Sequence, residues 1–337
     1  MIQGTRRLLP ACVAVLGFAA GGAFAQTAPP PASPGATLEL RAGDTVVLLG
    51  NTLAERMQHM NRFETLLLAR FPKLQLRIRN LGWSGDTITL QPRPLNFGET
   101  SKHLQEQKAD VILAFFGLNE SFDGESGLAK FEQDLAAYLE GHARARYNGR
   151  AAPRVALVAP LAHERLPHLV HVDVDGRNRE LARYTEAMRR VAADRATPFV
   201  DLFTPSKRIM DEGAAGPLTI NGIHLNERGD QVIAGLLMEG LGFEPQRMKE
   251  ATGARLKALE GLRAAVHDKN LQFFYRWRPV NAEYVVGRRV EPFGSISFPP
   301  EMRQLDEMVS ELDQRAWKRA HDAAGVRYAL VPAAEGR

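Results

Sequence analysis

Four short segments of the chain place a hydroxyl, an amide or an imidazole beside glycine. The first is Gly50-Asn51-Thr52-Leu53, where a hydroxyl follows an apolar run and precedes an amphipathic pattern. A hydroxyl at such a strand-to-helix turn lies beside free backbone N–H groups and the positive end of the helix, which favour a developing alkoxide or oxyanion. Asn and Thr are also common N-caps, so helix capping alone explains the same residues.

The second segment is Gly82-Trp83-Ser84-Gly85-Asp86. Glycine lets the backbone approach a ligand closely, and Trp83 offers a flat apolar surface. The segment nearly matches the nucleophile motif G-x-S-x-G, but Asp86 takes the place of the last glycine. Ser84 is therefore a weaker candidate for the nucleophile than Thr52.

The third and fourth segments supply an amide and an imidazole. Asn119 follows a buried run, and its side-chain amide can donate a hydrogen bond to an oxyanion. His224 precedes an amphipathic pattern and can act as a general base that takes a proton from Thr52. Taken singly, a turn-forming Asn and a structural His explain these residues equally well.

Apolar runs and amphipathic patterns alternate along the chain, as βαβ units do. The predicted strands are Thr45–Leu49, Gln75–Arg79, Val111–Phe116, Arg154–Ala159 and Pro198–Leu202. The predicted helices are Leu53–Phe71, Ser101–Gln107, Gly127–Arg146, Arg177–Arg195 and Glu227–Leu241. Buried strands with crossover helices predict an α/β fold with a doubly wound, five-stranded parallel sheet. Ligands of such sheets bind beyond the carboxyl ends of the strands, where these segments fall.

Together and in this order, the four segments resemble the motifs of the SGNH (GDSL-type) hydrolase family. The family's Gly-Asp-Ser-Leu block corresponds to Gly50–Leu53, and the glycine of its second block to Gly85. Its Gly-x-Asn-Asp block corresponds to Gly117–Glu120, and its Asp-x-x-His block to Asn221–His224. The resemblance covers about half of the chain, from Gly50 to His224, and implies the flavodoxin-like SGNH hydrolase fold.

The resemblance also implies a function and a site. Thr52 would be the nucleophile, with His224 as the base and Asn221 beside it. The oxyanion hole would consist of the Thr52 and Gly85 N–H groups and the Asn119 side chain. The implied activity is that of a carboxylic ester hydrolase on a small-molecule or glycan ester, including an O-acyl group of a carbohydrate or envelope polymer.

Two positions depart from the family pattern. Thr52 stands where the family has serine, and the extra methyl of threonine crowds attack and stiffens the side chain. Asn221 stands where the family has the aspartate that orients the histidine. In a serine protease triad the same Asp-to-Asn exchange lowers turnover by about 10⁴-fold, so a conventional triad would be slow here.

Other residues of the predicted pocket offer alternatives. Glu120 or Glu164 could orient the base in place of aspartate, and His163 with Glu164 forms a candidate acid–base pair. A second hypothesis is a catalytically silent domain that binds a glycan or acylated ligand, and a third is a metal-assisted hydrolase centred on His163. The helical H-E-x-x-H spacing is missed by one residue, so we predict neither metal nor cofactor. The predicted pocket residues are Asn51, Trp83, Glu120, His163 and Glu164.

The beginning of the chain predicts export. Residues 1–25 contain Arg6 and Arg7, an apolar run and a final Ala-x-Ala triplet, which is typical of a cleaved signal peptide. Residues 26–38 form a Pro/Ala-rich linker. We expect a periplasmic or secreted protein without a stable membrane anchor. Cys12, the only cysteine, would be removed, so disulfides do not support the fold.

Charge and composition exclude other classes. The net charge of +4 falls to +2 without the two leader arginines, and no polybasic block is present, so nucleic acid is not an expected partner. The main domain is expected over residues 39–244, followed by a helical extension over 245–337. Helices are predicted at Pro245–His267 and Glu301–Ala323. The aromatic and basic residues 269–281 are expected to be a strap that packs the extension on the sheet, or a surface that stacks on sugars.

Overall fold

The fold contains one parallel sheet of five strands in the order β2-β1-β3-β4-β5. The computed structural model describes residues 37–213, 216–243, 253–278 and 282–324. The predicted five-stranded, doubly wound parallel sheet is confirmed. Its strands are β1 (Thr45–Gly50), β2 (Arg77–Asn80), β3 (Val111–Phe115), β4 (Arg154–Val158) and β5 (Phe199–Val200).

The central strands are buried on both faces, because their sequences are continuous aliphatic and aromatic runs. Every residue of β1 (TVVLLG) and β3 (VILAF) is buried. Strands of this kind, with no alternation of polar residues, are typical of parallel sheets covered by helices on both sides. Pairing of Gly50 with Phe115 places the ends of β1 and β3 at the same edge of the sheet, and this edge carries the candidate site.

Helices cover both faces of the sheet. The helices that follow the strands are α1 (Thr52–Met60), α2 (Arg62–Arg70), α3 (Thr100–Glu106), α4 (Leu128–Arg144), α5 (Val174–Asp194), α6 (Phe203–Glu212) and α7 (Glu227–Gly240). The sequence analysis does not predict α6. Pro205 stands in its first turn, where a helix needs no N–H from proline.

The prediction of one helix over Leu53–Phe71 is wrong. Asn61 has a left-handed conformation with φ 64°, and there α1 ends and α2 begins. Asparagine tolerates this conformation better than most residues. Its side chain also accepts a hydrogen bond from Asn270 Nδ2 at 2.7 Å, so a contact about 200 positions away helps to fix the break.

The C-terminal part of the chain supplies α8 (Ala254–Trp277) and α9 (Phe298–Ala324). Residues 245–252 of the predicted helix Pro245–His267 lie outside the described residues, and α8 continues ten residues further than predicted. Much of the expected strap is therefore the end of a helix, with Phe273 and Trp277 buried. Leu262 of α8 and Ala320 of α9 belong to the same hydrophobic cluster as the sheet residues Val46 and Val111.

A buried network of charged and amide groups joins these helices to the sheet. Lys269 of α8 is fully buried and lies 2.7 Å from Glu64 of α2. Arg79 of β2 binds Asp313 of α9 through two hydrogen bonds, at 2.5 and 3.1 Å. Burial raises the pKa of Glu64 and lowers that of Lys269, so each depends on its partner for its charge.

The predicted signal peptide over residues 1–25 lies outside the described residues, and so does the linker except its last two positions. Among the described helices, none is both long and apolar enough to span a bilayer.

Candidate functional site

The turn after β1 brings Thr52 to the carboxyl edge of the sheet. Gly50 has φ 125°, and a Cβ atom there would lie 2.1 Å from the Phe115 carbonyl oxygen. Only glycine permits this approach of β1 to β3. Asn51 then caps α1, with its side-chain oxygen accepting a hydrogen bond from Leu53 N at 3.1 Å. The capping interpretation therefore accounts for Asn51, and it leaves the Thr52 hydroxyl free for another role.

Thr52 and His224 line the same pocket. The pocket is walled mainly by apolar residues at the carboxyl ends of β3 and β4, and its cavity of about 20 Å³ holds roughly one water-sized group. The lining residues are Asn51, Thr52, Leu53, Phe115, Phe116, Leu118, Val158, Ala159, Pro160, Leu161, Ala162, Ile223 and His224.

The backbone groups predicted for an oxyanion hole lie in two adjoining loops. Trp83 N donates to the Gly50 carbonyl at 2.8 Å, which fixes the second loop beside the first. Gly85 is exposed, with φ 87°, and within the described ranges neither its N–H nor that of Thr52 donates a hydrogen bond. Asn119 Nδ2 donates to the Asp86 carbonyl at 2.8 Å and retains a second N–H.

Asn221 contacts His224 in a way that fixes the imidazole tautomer. The Asn221 side-chain oxygen accepts the His224 backbone N–H at 3.0 Å, so its Nδ2 is the atom that lies 3.1 Å from His224 Nδ1. An amide nitrogen only donates, and Nδ1 must therefore be the acceptor. The neutral ring then carries its proton on Nε2, whereas a general base for Thr52 needs Nε2 unprotonated.

The surroundings of His224 favour its neutral form. Burial lowers the pKa of His224, and the positive charge of Arg56 lowers it further. A carboxylate on Nδ1 would act in the opposite direction, by stabilising the imidazolium. The structure thus combines an uncharged imidazole with an uncharged partner.

Glu164 and Glu120 both bind backbone groups of the site loops. Glu164 is buried and accepts hydrogen bonds from Leu218 N at 2.8 Å and Thr219 N at 2.7 Å, and also from the Thr219 hydroxyl. Glu120 accepts from Ile88 N at 3.0 Å and Gly117 N at 2.8 Å. Both carboxylates therefore position loops, and the contact to His224 Nδ1 comes from Asn221.

Two of the predicted pocket residues, His163 and Trp83, do not line this cavity and pack against other residues. A Cβ atom on Gly222, where φ is 91°, would lie 2.3 Å from His163 Cε1, so the imidazole packs directly on the loop that carries His224. Burial lowers the pKa of His163. The Trp83 ring is stacked between the guanidinium groups of Arg93, 4.4 Å from its centroid, and Arg278, 3.8 Å away.

Sequence reasoning missed Glu55 and Arg278. Glu55 accepts a hydrogen bond from Ser84 N at 2.7 Å and one from the Ser84 hydroxyl. Arg278, directly after α8, forms an ion pair with the same carboxylate. These contacts hold the loop of Gly85 from two sides. The only sequence signal for Glu55 is its position in the first turn of α1. No pattern links it to Ser84 and Arg278, which are 29 and 223 positions away.

The described ranges contain no group of three or more His, Cys, Asp or Glu side chains arranged to hold a metal ion.

The family comparison agrees with the fold and with these loops. The model of the GDSL-like Lipase/Acylhydrolase family matches residues 45–232, more than half of the chain. The chain therefore belongs to this family, whose members are named for ester hydrolysis, and the predicted resemblance is confirmed. The matched region includes all four segments and ends before α8. No curated protein matches the chain.

Several solved structures are similar to the chain. One is a gut microbial diltiazem-metabolizing enzyme, with 19% identity and a TM-score of 0.47 over 63% of this chain, which spans only 49% of that protein. Another is an alpha/beta hydrolase from the metagenome of Lake Arreo, Spain, with 21% identity and a TM-score of 0.46 over 60% of this chain and 97% of that one. A catalytic mutant of an acetylxylan esterase from Geobacillus stearothermophilus has 17% identity and a TM-score of 0.46, over 62% and 99%.

Proposed function

We propose that the protein hydrolyses an ester or O-acyl group of a small molecule or a carbohydrate, with Thr52 as nucleophile and His224 as general base. The observation that carries the proposal is that these two side chains line one pocket, at the carboxyl edge of the sheet, inside the region that matches an acylhydrolase family. Such edges are where α/β sheets bind ligands.

In the proposed reaction, the Thr52 oxygen attacks the ester carbonyl while His224 takes the hydroxyl proton on Nε2. This step requires the less favoured tautomer, with the ring proton on Nδ1, and turnover is therefore slow. The oxyanion faces the Thr52 and Gly85 N–H groups and the second N–H of Asn119, all of which lack a competing acceptor among the described residues. The alcohol leaves with the proton held by His224. Water, deprotonated by His224, then attacks the acyl group, and the Thr52 oxygen leaves with the proton that His224 returns, which releases the acid.

The pocket favours a short acyl group. Its cavity of about 20 Å³ accommodates about one methyl-sized group between Leu118, Pro160 and Leu161. We therefore expect acetyl esters to be hydrolysed faster than esters of longer acyl chains, which would have to displace the walls. Acetylated sugars and small acetate esters are the substrates to test first.

A second candidate function is binding of a glycan or acylated ligand without turnover. The observation that favours it is the Asn221 amide on His224 Nδ1, which holds the proton on the nitrogen that should receive one. In that state His224 donates a hydrogen bond to a ligand oxygen. The same pocket then recognises an ester that it does not cleave.

Hydrolysis of p-nitrophenyl acetate and acetylated sugars by the purified protein separates the two functions. We expect slow turnover that is abolished in Thr52→Ala and in His224→Ala and retained in Thr197→Ala, a threonine that precedes β5 at the opposite edge of the sheet. Turnover that survives in Thr52→Ala would refute the proposed nucleophile. Saturable binding of acetylated sugars with no turnover would establish the second function instead.

The export proposal rests on the first 25 residues of the sequence alone. We expect the mature protein to be periplasmic or secreted and to begin at Gln26. Mass spectrometry of the protein recovered from its native cells tests this. A mature chain that retains Arg6 and Arg7 would contradict it.

A further inference from the structure

One arginine at the rim of the site forms no ion pair with any carboxylate that the structure describes. Arg177 lies in the first turn of α5. Arg179 and Arg183 of the same helix, by contrast, pair with Asp173 and Glu180. A cation in the first turn of a helix also faces the positive end of the helix dipole. Within the described ranges, this guanidinium is therefore held without a carboxylate in ion-pair contact, and Glu180 acts on it only through its charge.

The Arg177 side chain is fixed by neutral groups. Its Nη2 donates to the Ser121 hydroxyl at 2.6 Å, and its Nη1 donates to the Ser121 carbonyl at 3.3 Å. Its guanidinium lies 3.9 Å from the ring centroid of Phe122, a residue that is 69% exposed. The remaining N–H donors face no acceptor in the part of the chain that the structure describes. Burial lowers the pKa of Arg177, and the negative charge of Glu180 offsets only part of this effect.

These contacts place Arg177 beside the pocket. Ser121 and Phe122 belong to the short 3-10 turn Glu120–Asp123, which begins directly after Asn119 of the oxyanion site. Asn178, the residue after Arg177, accepts a hydrogen bond from His163 N at 2.7 Å and donates one to the His163 carbonyl at 2.9 Å. The His163 ring packs on Gly222 in the loop of His224. Arg177 is thus next to both loops that border the reacting groups.

From this arrangement we infer that Arg177 binds a carboxylate on the alcohol portion of the ester substrate. The carboxylate belongs to the alcohol portion because the acyl cavity, of about 20 Å³, is walled by apolar residues. A guanidinium with free donors recognises a carboxylate through paired, charge-assisted hydrogen bonds. The exposed Phe122 ring beside it offers a flat surface for the rest of the alcohol. This inference rests on the proposed ester hydrolysis.

Two substrates that differ only in charge test the inference. The probes are 4-acetoxybenzoate and its neutral analogue 4-acetoxybenzamide. We expect kcat/KM of the native protein to be about ten-fold higher for the carboxylate, mainly through KM, because the contact is remote from the reacting atoms. Arg177→Met should remove the preference, Arg177→Lys should keep part of it, and Arg179→Met should leave it intact.

A purely structural role for Arg177 would lower the activity on both esters together and leave their ratio unchanged. An unchanged ratio in Arg177→Met would therefore overturn the inference. If the native protein cleaves neither ester, the proposed hydrolysis fails, and calorimetric binding of 4-hydroxybenzoate against 4-hydroxybenzamide decides the inference alone. Tighter binding of the carboxylate that is lost in Arg177→Met supports it, and equal binding overturns it.

Discussion

Both the oxygen and the nitrogen of the Asn221 side-chain amide contact His224. The oxygen accepts the backbone N–H of His224, and the nitrogen lies on the imidazole Nδ1. An aspartate at this position would keep the first contact and reverse the second, because a carboxylate accepts a hydrogen bond from Nδ1–H. The proton would then leave Nε2, which is the nitrogen required for proton transfer from Thr52.

We therefore expect Asn221→Asp to raise kcat for p-nitrophenyl acetate by two or more orders of magnitude, with about 10⁴-fold as the upper bound. Thr52→Ser combined with Asn221→Asp should raise it further, because serine lacks the crowding methyl. Asn221→Ala is the matched control, since it removes the amide without adding a charge. If the folded double variant hydrolyses nothing, the pocket is not arranged for acyl transfer.

The pH dependence follows from the same imidazole. Burial and Arg56 lower the pKa of His224 from its ordinary value of 6.5, so the base remains unprotonated to a lower pH. The acid limb of kcat/KM should lie below pH 6.5 in the native protein. In Asn221→Asp the new carboxylate should move it upwards. Identical limbs in the two proteins would show that residue 221 does not act on the base.

At this scale the sequence predicts which residues are candidates, but not what they contact. The order of the four segments identifies Thr52, Asn119 and His224, because each follows a recognisable strand or precedes a helix. The roles of Glu164 and Arg177 depend on backbone groups of distant loops. Such pairings have no spacing rule, and Glu164 stays a pocket residue in the sequence interpretation although it supports the loop of Thr219.

At the scale of the elements, periodicity predicts the strands and the longer helices well, because burial on a sheet imposes it. It fails at Asn61, where α1 and α2 are separated by one left-handed residue within a continuous amphipathic pattern. It also misses the last ten residues of α8, where the polar residues Lys269 and Asn270 are buried against partners on other elements. Tertiary contacts decide both cases.

The pair of Lys269 and Glu64 gives a stability prediction for α8. Lys269→Met leaves the Glu64 carboxylate buried without its cation, so we expect the free energy of unfolding to fall by about 3–5 kcal/mol. Lys257→Met is the control, because Lys257 is exposed on the same helix, and it should change the free energy by less than about 0.5 kcal/mol. Urea unfolding followed by circular dichroism measures both, and equal midpoints would contradict the prediction.

At the scale of the whole molecule, the family region ends before the hydrophobic core is complete. Residues of α8 and α9, among them Leu259, Leu262, Val266 and Ala316, belong to the cluster that covers one face of the sheet. The ion pair of Arg79 with Asp313 adds a buried charge that would lack its partner if α9 were removed. The helices outside the matched region therefore act as part of the fold.

A chain that ends at Phe243 should accordingly fail to fold cooperatively. It would expose the apolar face that α8 and α9 cover and leave Arg79 and Glu64 with unpaired charges. Loss of the near-ultraviolet circular dichroism signal, or a flat urea transition, is the expected result. A soluble, cooperative domain with the midpoint of the full chain would show that the helices are dispensable.

Asn221 and Gly222 form a dipeptide that deamidates readily in flexible peptides, because the unhindered glycine nitrogen attacks the side-chain amide. In the folded loop that nitrogen donates to the Thr219 hydroxyl at 3.0 Å, and Thr219 is in turn held by Glu164. The folded loop therefore protects the Asn221 amide from deamidation. In a stored sample, a slow gain of 1 Da at this peptide should be accompanied by a rise in esterase activity. The rate of this gain would measure how often the loop opens.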